Sequence, residues 1–455
     1  MLEAFTQLVH QRDDPAALSE STRRLAQLPL RLGGLGLTSQ ADIGPLAWYG
    51  GLAQASYVLR GTARQRVEGN PLLAEGIRLV AARVDTICRV DGRFSDTRRR
   101  ALPLPADDLS PASTLQHYGT ADMPPARAHL RTSTAAPNRP AGRARARPRG
   151  DDDEQPDHPA ERLQAALSRP LLEQRQRSLL RGLSVAHQVA VRHAGGTLAS
   201  AWLLALPTDG ATTLPDDHYR IALRTRARLP PLRSQPTYCF CGHRMEALDA
   251  NNHHLGCLQL RASGHSFRHD LVKQALASVL RRAGAAVTVE KATGRGLRRF
   301  DLFMAAGART IALDVTVVHS NTPGRLGAAL GLARVGAAVA MAERNKCEGA
   351  DGYVQEAVNA GAEFVAFAMD TYGHMGKQAK EFLNAIPAFA TPAADARGLS
   401  PEELRELAKH AVAIALQKGN ALAYIEGRYR SFQAFIEYRL RFQRDEAAAA
   451  ARHGG

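Results

Sequence analysis

The sequence predicts a mixed protein of the α+β or α/β class, and three observations carry that prediction. Apolar residues recur at helical spacing through 1–95 and 161–235. Residues 263–390 read instead as helix, three strands, helix and strand, an αβββαβ order. Between the helical parts, 101–160 keeps no apolar period and is rich in Pro, Ala and Arg.

Composition bounds what such a chain does. Its 455 residues suggest about three domains at roughly 150 residues each. A hydrophobic content of 45% permits a buried core and excludes a fully disordered tail, a collagen or a disulfide scaffold. No run approaches the ~20 apolar residues that span a bilayer, and no membrane partner is expected. The start, MLEAFTQLVHQRDD, lacks the apolar stretch of a secretory signal. Five cysteines, three of them clustered, fit a reducing compartment with a metal site. Lys plus Arg number 59 and Asp plus Glu 44, a net charge of +15. That excess points to a polyanion, with nucleic acid the default partner.

In 1–100, a helical region, Leu2, Phe5, Leu8 and Val9 share a helix face. LPLRLGGLGL at 28–37 breaks the helix at Gly33–Gly34, and helices resume over 42–60 and 71–90. Residues 101–160 read as a disordered linker with a basic block (138–150) and an acidic block (151–159). The basic block reads first as a solvated linker, with a nucleic-acid contact or a nuclear address as the alternative. The helical linker region 161–236 opens with LLEQRQRSLLRGLSVAHQVAVRHAGG, one amphipathic helix stopping at Gly195–Gly196. Trp202 falls in the core. Residues 218–233 carry five Arg on a helical pattern, either a backbone-contacting face or a solvated one. Residues 391–455 form a C-terminal helical tail, opened by Ser400, Pro401 and Glu403 as cap, first-turn Pro and third-position Glu.

The segment 237–262 reads YCFCGHRMEALDANNHHLGC at its heart. Cys239, Cys241, His253 and Cys257 supply three thiolates and an imidazole, a tetrahedral zinc shell. His254 and His243 are substitutes that spacing leaves open. A closed four-ligand shell makes the site structural.

In 263–390 a helix begins at Ser266, read as its cap, and ends at Gly284. Strands follow at 285–291, 298–304 and 309–319, then a helix at 324–345 and a strand at 363–371. A two-residue turn at Gly307–Ala308 places Asp301 opposite Asp314, with Cβ atoms ~4.5–5.5 Å apart. Two carboxylates that close call for a cation, and hard oxygen ligands select Mg²⁺ or Mn²⁺. Paired carboxylates beside a Lys suit metal-assisted phosphodiester hydrolysis. Lys346 is the candidate, with Lys291 the alternative. Arg298 and Arg299 are placed to hold phosphates. Arg268 and His269 either reach substrate or cap the helix.

Cys239-x-Cys241-Gly, His253-xxx-Cys257, Arg268-His269-Asp270, Arg299-Phe300-Asp301 and, after 12 intervening residues, Asp314-Val-Thr-Val together resemble a known family. They look like the post-reverse-transcriptase region of site-specific non-LTR retrotransposon polyproteins. That family carries a CCHC zinc knuckle followed by a restriction-like endonuclease of the PD-(D/E)XK class. The resemblance covers 237–390, and extends more weakly to 199–207 and 28–37. It implies a restriction-endonuclease-like core that nicks target DNA to prime reverse transcription. It further implies that Asp301 and Asp314 are metal ligands, Lys346 a helix-borne catalytic lysine, and Tyr353 its companion. Thr316 stands where an ordinary member of that class has its lysine, and Phe300 replaces the usual Pro. Target DNA, element RNA and a full-length element protein acting in trans are the implied partners, and the nucleus the implied compartment. No aromatic-x-Asp-Asp polymerase strand occurs, and Asp107–Asp108 lies in the Pro-rich linker. The chain therefore reads as a post-polymerase portion, from a truncated copy or a partial gene model. The competing reading is an inactive remnant that binds nucleic acid through the knuckle and basic surfaces.

Overall fold

The computed structural model describes residues 5–6, 8–9, 18–37, 39–58, 71–90, 93–102, 104, 163–196, 198–232, 239, 250–260, 265–293, 298–321, 335–348, 353–390, 398–428, 437, 440–441 and 443–444. The linker blocks at 138–150 and 151–159, and Cys241 and His243, lie outside these. The chain divides into two units, 38–177 and a second made of 1–37 with 178–455. That division differs from the six sequence segments, because 1–37 joins the C-terminal unit.

Helix α1 (Glu20–Gln27) starts where the Ser19 side chain accepts from Thr22 N at 3.2 Å. A 3₁₀ turn at Leu30–Leu32 then ends at Gly33. A Cβ at Gly33 would lie 2.1 Å from Val191 O, and φ there is +84°, so only glycine fits this bend.

The 38–177 unit is helical, as its apolar spacing predicts. It holds α2 (Gln40–Val58), α3 (Pro71–Cys88), the short strands β1 (Arg89–Val90) and β2 (Arg93–Phe94), α4 (Asp96–Arg100) and most of α5 (Leu163–Arg181). Leu46, Tyr49, Val84, Ile87, Leu163 and Leu167 form its core. Leu102 and Leu104, assigned to the disordered linker, are buried in that core instead. Their apolar side chains extend the packed unit past residue 100.

The other unit continues with α6 (Val185–His193), α7 (Ala201–Leu204), α8 (Asp216–Arg226), α9 (Ala250–Gly256) and α10 (Ser266–Arg282). The single amphipathic helix expected before Gly195 is two, α5 and α6. Gly182 ends the first, and the Ser184 side chain caps the second by accepting from His187 N. Ser266 is the first residue of α10 rather than its cap, a position held by His265 without a side-chain bond. Strands β3 (Ala286–Ala292), β4 (Arg299–Ala306) and β5 (Arg309–Val318) follow, then α11 (Ala337–Glu348), α12 (Val354–Asn359), β6 (Glu363–Asp370), α13 (Lys377–Ala385) and α14 (Pro401–Arg428). The sheet order is β3-β4-β5-β6, antiparallel except for the parallel β5–β6 pair. The unit is thus a mixed α and β fold.

Its core joins α10 (Val272, Leu276), the sheet (Leu302, Leu313, Phe367) and α14 (Val412, Leu416). Trp202 is buried there, as expected. Helix α14 opens with the expected capping box: Glu403 N–H donates to Ser400 Oγ at 3.2 Å, and Ser400 N–H to Glu403 Oε2 at 2.7 Å. It is not a peripheral tail. Residues 411–427 are buried on every side, the polar Gln417, Lys418, Asn420 and Glu426 included.

The Arg run at 218–233 resolves differently from both expectations. Arg224, Arg226 and Arg228 are buried. Arg226 donates to Gly34 O, Ala199 O, Leu30 O and Ser200 Oγ, and Arg224 to Val9 O and Pro230 O. These guanidiniums hydrogen-bond carbonyls of irregular backbone and tie distant segments together. Among the described residues, no helix is long and apolar enough to cross a membrane.

Candidate functional site

The β4–β5 hairpin pairs Ala306 with Arg309 and Leu302 with Leu313, the register that the Gly307–Ala308 turn predicts. Asp301 and Asp314 stand one step beyond the last of these pairs. There the Val315 N–H donates to Asp301 Oδ2 at 2.7 Å, so a side chain takes over from the backbone ladder.

His269, one turn into α10, closes on the same carboxylate. Its Nε2 lies 3.0 Å from Asp301 Oδ2 and 3.1 Å from Val315 O. Both are acceptors, so Nε2 carries the hydrogen. Burial works against charge on this imidazole, but the Asp301 carboxylate outweighs it and raises the pKa above the usual histidine value.

Asp314 is 5% exposed. Its Oδ2 lies 3.0 Å from Lys346 Nζ and accepts from Thr316 Oγ1 at 3.3 Å. Burial raises its pKa, and the charge of Asp301 raises it further against the pull of Lys346. Burial also tends to discharge Lys346, but Asp314 prevails and raises its pKa. The ammonium lies 5.1 Å from the Tyr353 ring centre.

Two devices fix this lysine. Glu343, one turn earlier on α11, accepts from Lys377 N at 3.2 Å and Gln378 N at 2.9 Å, capping α13. A Cβ at Gly376 would lie 2.0 Å from Glu343 Oε1, so glycine admits the carboxylate. Past α11, Tyr353 N–H donates to Lys346 O at 2.9 Å, and its ring stacks on Phe364 at 5.8 Å and tilts against Phe300 at 5.9 Å.

His269, Asp301, Asp314, Lys346 and Tyr353 thus converge. Arg298 lies beside them, 5.8 Å from the Tyr353 ring and 3.2 Å from Glu356 Oε1. Arg299 is exposed at the start of β4. Lys291 does not join them, since its Nζ sits over the Phe303 ring at 3.3 Å. Arg268 points elsewhere: it is 2% exposed and donates to Leu255 O and Asn420 Oδ1 at 3.4 and 3.3 Å.

Sequence reasoning missed Lys273 and Glu290. Lys273 falls one helical turn after His269, a spacing that marks a shared face. Its Nζ is 2.9 Å from Asp270 Oδ1 and pairs with Glu290. Glu290 holds φ +57° within β3, at the register position facing Asp301. That left-handed backbone is strained for a residue other than glycine or asparagine.

The second cluster is the Cys–His group. The ligand atoms of Cys239, His253 and Cys257 all lie within 4.8 Å of one another, so the three could hold a metal ion. The two sulfurs are 3.8 Å apart. His254 faces the other way. Its buried ring meets Tyr424 edge-on at 6.1 Å and leaves no room for a side chain at Gly427. The structure therefore separates the two adjacent histidines, which spacing alone left interchangeable.

Comparison of the chain with known protein families and with curated proteins finds no match.

Proposed function

We propose that this chain is a metal-dependent DNA endonuclease whose core is of the restriction-like PD-(D/E)XK type. One observation carries the reading: a lysine from a separate helix reaches the buried Asp314, while His269 and Val315 orient Asp301 across the hairpin. The donor set fits a divalent ion. Each aspartate uses Oδ2 in the contacts above, leaving Oδ1, and Val315 O adds a third hard oxygen. Asp301 and Asp314 would hold Mg²⁺ or Mn²⁺. Such an ion, when bound, lowers the pKa of a coordinated water and stabilises charge on the phosphate.

The chain's own residues have distinct parts in this account. Asp314 keeps Lys346 charged, and that ammonium is placed to orient a nucleophilic water and balance the charge that develops on the phosphate. His269 fixes the Asp301 rotamer through its Nε2–H. Tyr353 forms an aromatic floor under Lys346. Arg298, beside Tyr353, and the exposed Arg299 would meet a phosphate backbone.

Cys239, Cys241, His253 and Cys257 would hold a structural zinc. In a tetrahedron with Zn–S bonds of about 2.3 Å, sulfurs stand about 3.8 Å apart, and the two described thiols have that spacing. The knuckle packs beside α14 and α10 through Leu255 and Arg268, which makes it a brace for the nuclease core. Target DNA, element RNA and a nuclear setting follow from the resemblance and the +15 charge.

The test is cleavage of a labelled DNA duplex with Mg²⁺ or Mn²⁺ titrated from zero. The proposal expects cleavage that saturates with metal and leaves 3′-hydroxyl and 5′-phosphate ends. Cleavage insensitive to metal contradicts it.

A further inference from the structure

Lys273 is a buried lysine beside the candidate centre, with no part in the chemistry of Asp301, Asp314 and Lys346. It is 5% exposed and falls one helical turn after His269 on α10. Its Nζ lies 2.9 Å from Asp270 Oδ1 and also pairs with Glu290. Burial tends to discharge this ammonium, but Glu290, Asp270 and the nearby Asp301 outweigh it and raise its pKa. Lys273 is therefore a fixed positive charge.

The sheet explains where that charge is needed. Val289 pairs with Leu302 and Lys291 with Phe300, so Glu290 stands opposite Asp301. Leu302 pairs with Leu313, so Asp301 in turn stands opposite Asp314. The three carboxylates form a row across β3, β4 and β5, at an interstrand spacing of about 4.8 Å. Such a row offers two gaps between neighbours. That layout suits paired divalent ions, which in two-metal centres stand about 3.5–4 Å apart.

Helix α10 sends one group to each of two members of the row, His269 to Asp301 and Lys273 to Glu290. His269 engages Oδ2 of Asp301, and Lys346 engages Oδ2 of Asp314, so Oδ1 of each is left for an ion. At the Glu290 end the ammonium already supplies a cation. A lysine occupies it without the dehydration that a divalent ion would require.

We propose that Lys273 is a built-in cation at the Glu290 end of this row. The centre then binds one divalent ion, between Asp301 and Asp314, where the three carboxylates alone would take two. The inference rests on the reading of Asp301 and Asp314 as metal ligands.

The test counts Mn²⁺ bound to the zinc-loaded full chain, by equilibrium dialysis and elemental analysis. Ions retained by an Asp301→Asn, Asp314→Asn double variant are subtracted. The parent should bind one ion by this count, with the paramagnetic resonance of isolated ions. Lys273→Met removes the charge, keeps a long side chain and suits a helix. Asp270 and Glu290 are exposed, so water solvates them in that variant. Lys273→Met should bind two ions and show the resonance of a coupled pair. Adding Glu290→Gln to it should return the count to one, and Lys273→Arg should stay at one. Two ions in the parent overturn the inference alone, and that outcome needs no variant to fold. One ion in a folded Lys273→Met, or two in Lys273→Met with Glu290→Gln, also overturns it. No ion in the parent beyond those of the double variant overturns it together with the metal reading.

Discussion

Lys346 Nζ lies 3.0 Å from Asp314 Oδ2, joining a helix to a strand across 32 positions of sequence. The contact balances a carboxylate that burial would otherwise neutralise. Lys346→Met leaves Asp314 with Thr316 as its remaining side-chain donor. Leaving half of a buried ion pair is costly, and about 2–3 kcal/mol of stability should be lost at neutral pH. Adding Asp314→Asn to that variant should restore part of it. Urea denaturation of the two single variants and the double variant measures the coupling. Lys291→Ala, by contrast, should leave any DNA cleavage near the parent rate, while Lys346→Ala should slow it about 10²–10³-fold.

His269 makes stability depend on pH in a defined direction. Its folded pKa is raised above 6.5, the value in an unfolded chain. The stability it contributes is therefore present in full below pH 6.5 and is lost as pH climbs through the folded pKa. His269→Gln should flatten that fall. Denaturation midpoints between pH 5.5 and 8.5, for parent and variant, report it. An equal slope in both would show that another group controls this range.

Metal content distinguishes the two adjacent histidines. Cys239→Ala, His253→Ala and Cys257→Ala should each lose zinc from the purified protein, and a chelator should lower the melting temperature of the parent. His254→Ala should keep its zinc. Elemental analysis per mole of protein separates these outcomes.

The buried arginines of α8 hold irregular backbone together. Arg226→Leu removes donors from Gly34 O, Ala199 O and Leu30 O at once. Leu30 O keeps Gly33 N–H and Ser200 Oγ as donors, but a buried acceptor left unsatisfied costs about 1–3 kcal/mol, and a loss of about 2–4 kcal/mol is expected by chemical denaturation. Arg220→Leu, a partly exposed neighbour on the same helix, should cost little.

The hairpin register was legible because a two-residue turn fixes which side chains oppose each other. The order of helices and strands in 263–390 followed from periods that differ, except that the short helix α12 before β6 was not foreseen. Lys346 was a candidate because paired carboxylates call for a nearby cation, but nothing in its local pattern says that α11 folds back to Asp314, and Lys291 stood as its alternative. The burial of Arg224 and Arg226 was not legible. Their partners are carbonyls far away in the chain, and carbonyls leave no mark in a sequence. Helix α14 was read as a tail for a related reason. Polar residues such as Lys418, Asn420 and Glu426 mask its burial, yet Lys418 finds Gly210 O and Asn420 finds Thr371 O. Glu343 was missed because its cap belongs to another helix.

Nicking of supercoiled plasmid by the zinc-loaded protein with Mg²⁺ or Mn²⁺, beside Asp301→Ala and Asp314→Ala, tests the central claim most directly. The account predicts nicking by the parent that both substitutions abolish. Nicking that persists in either variant, or no nicking by a parent that binds the plasmid, would contradict it.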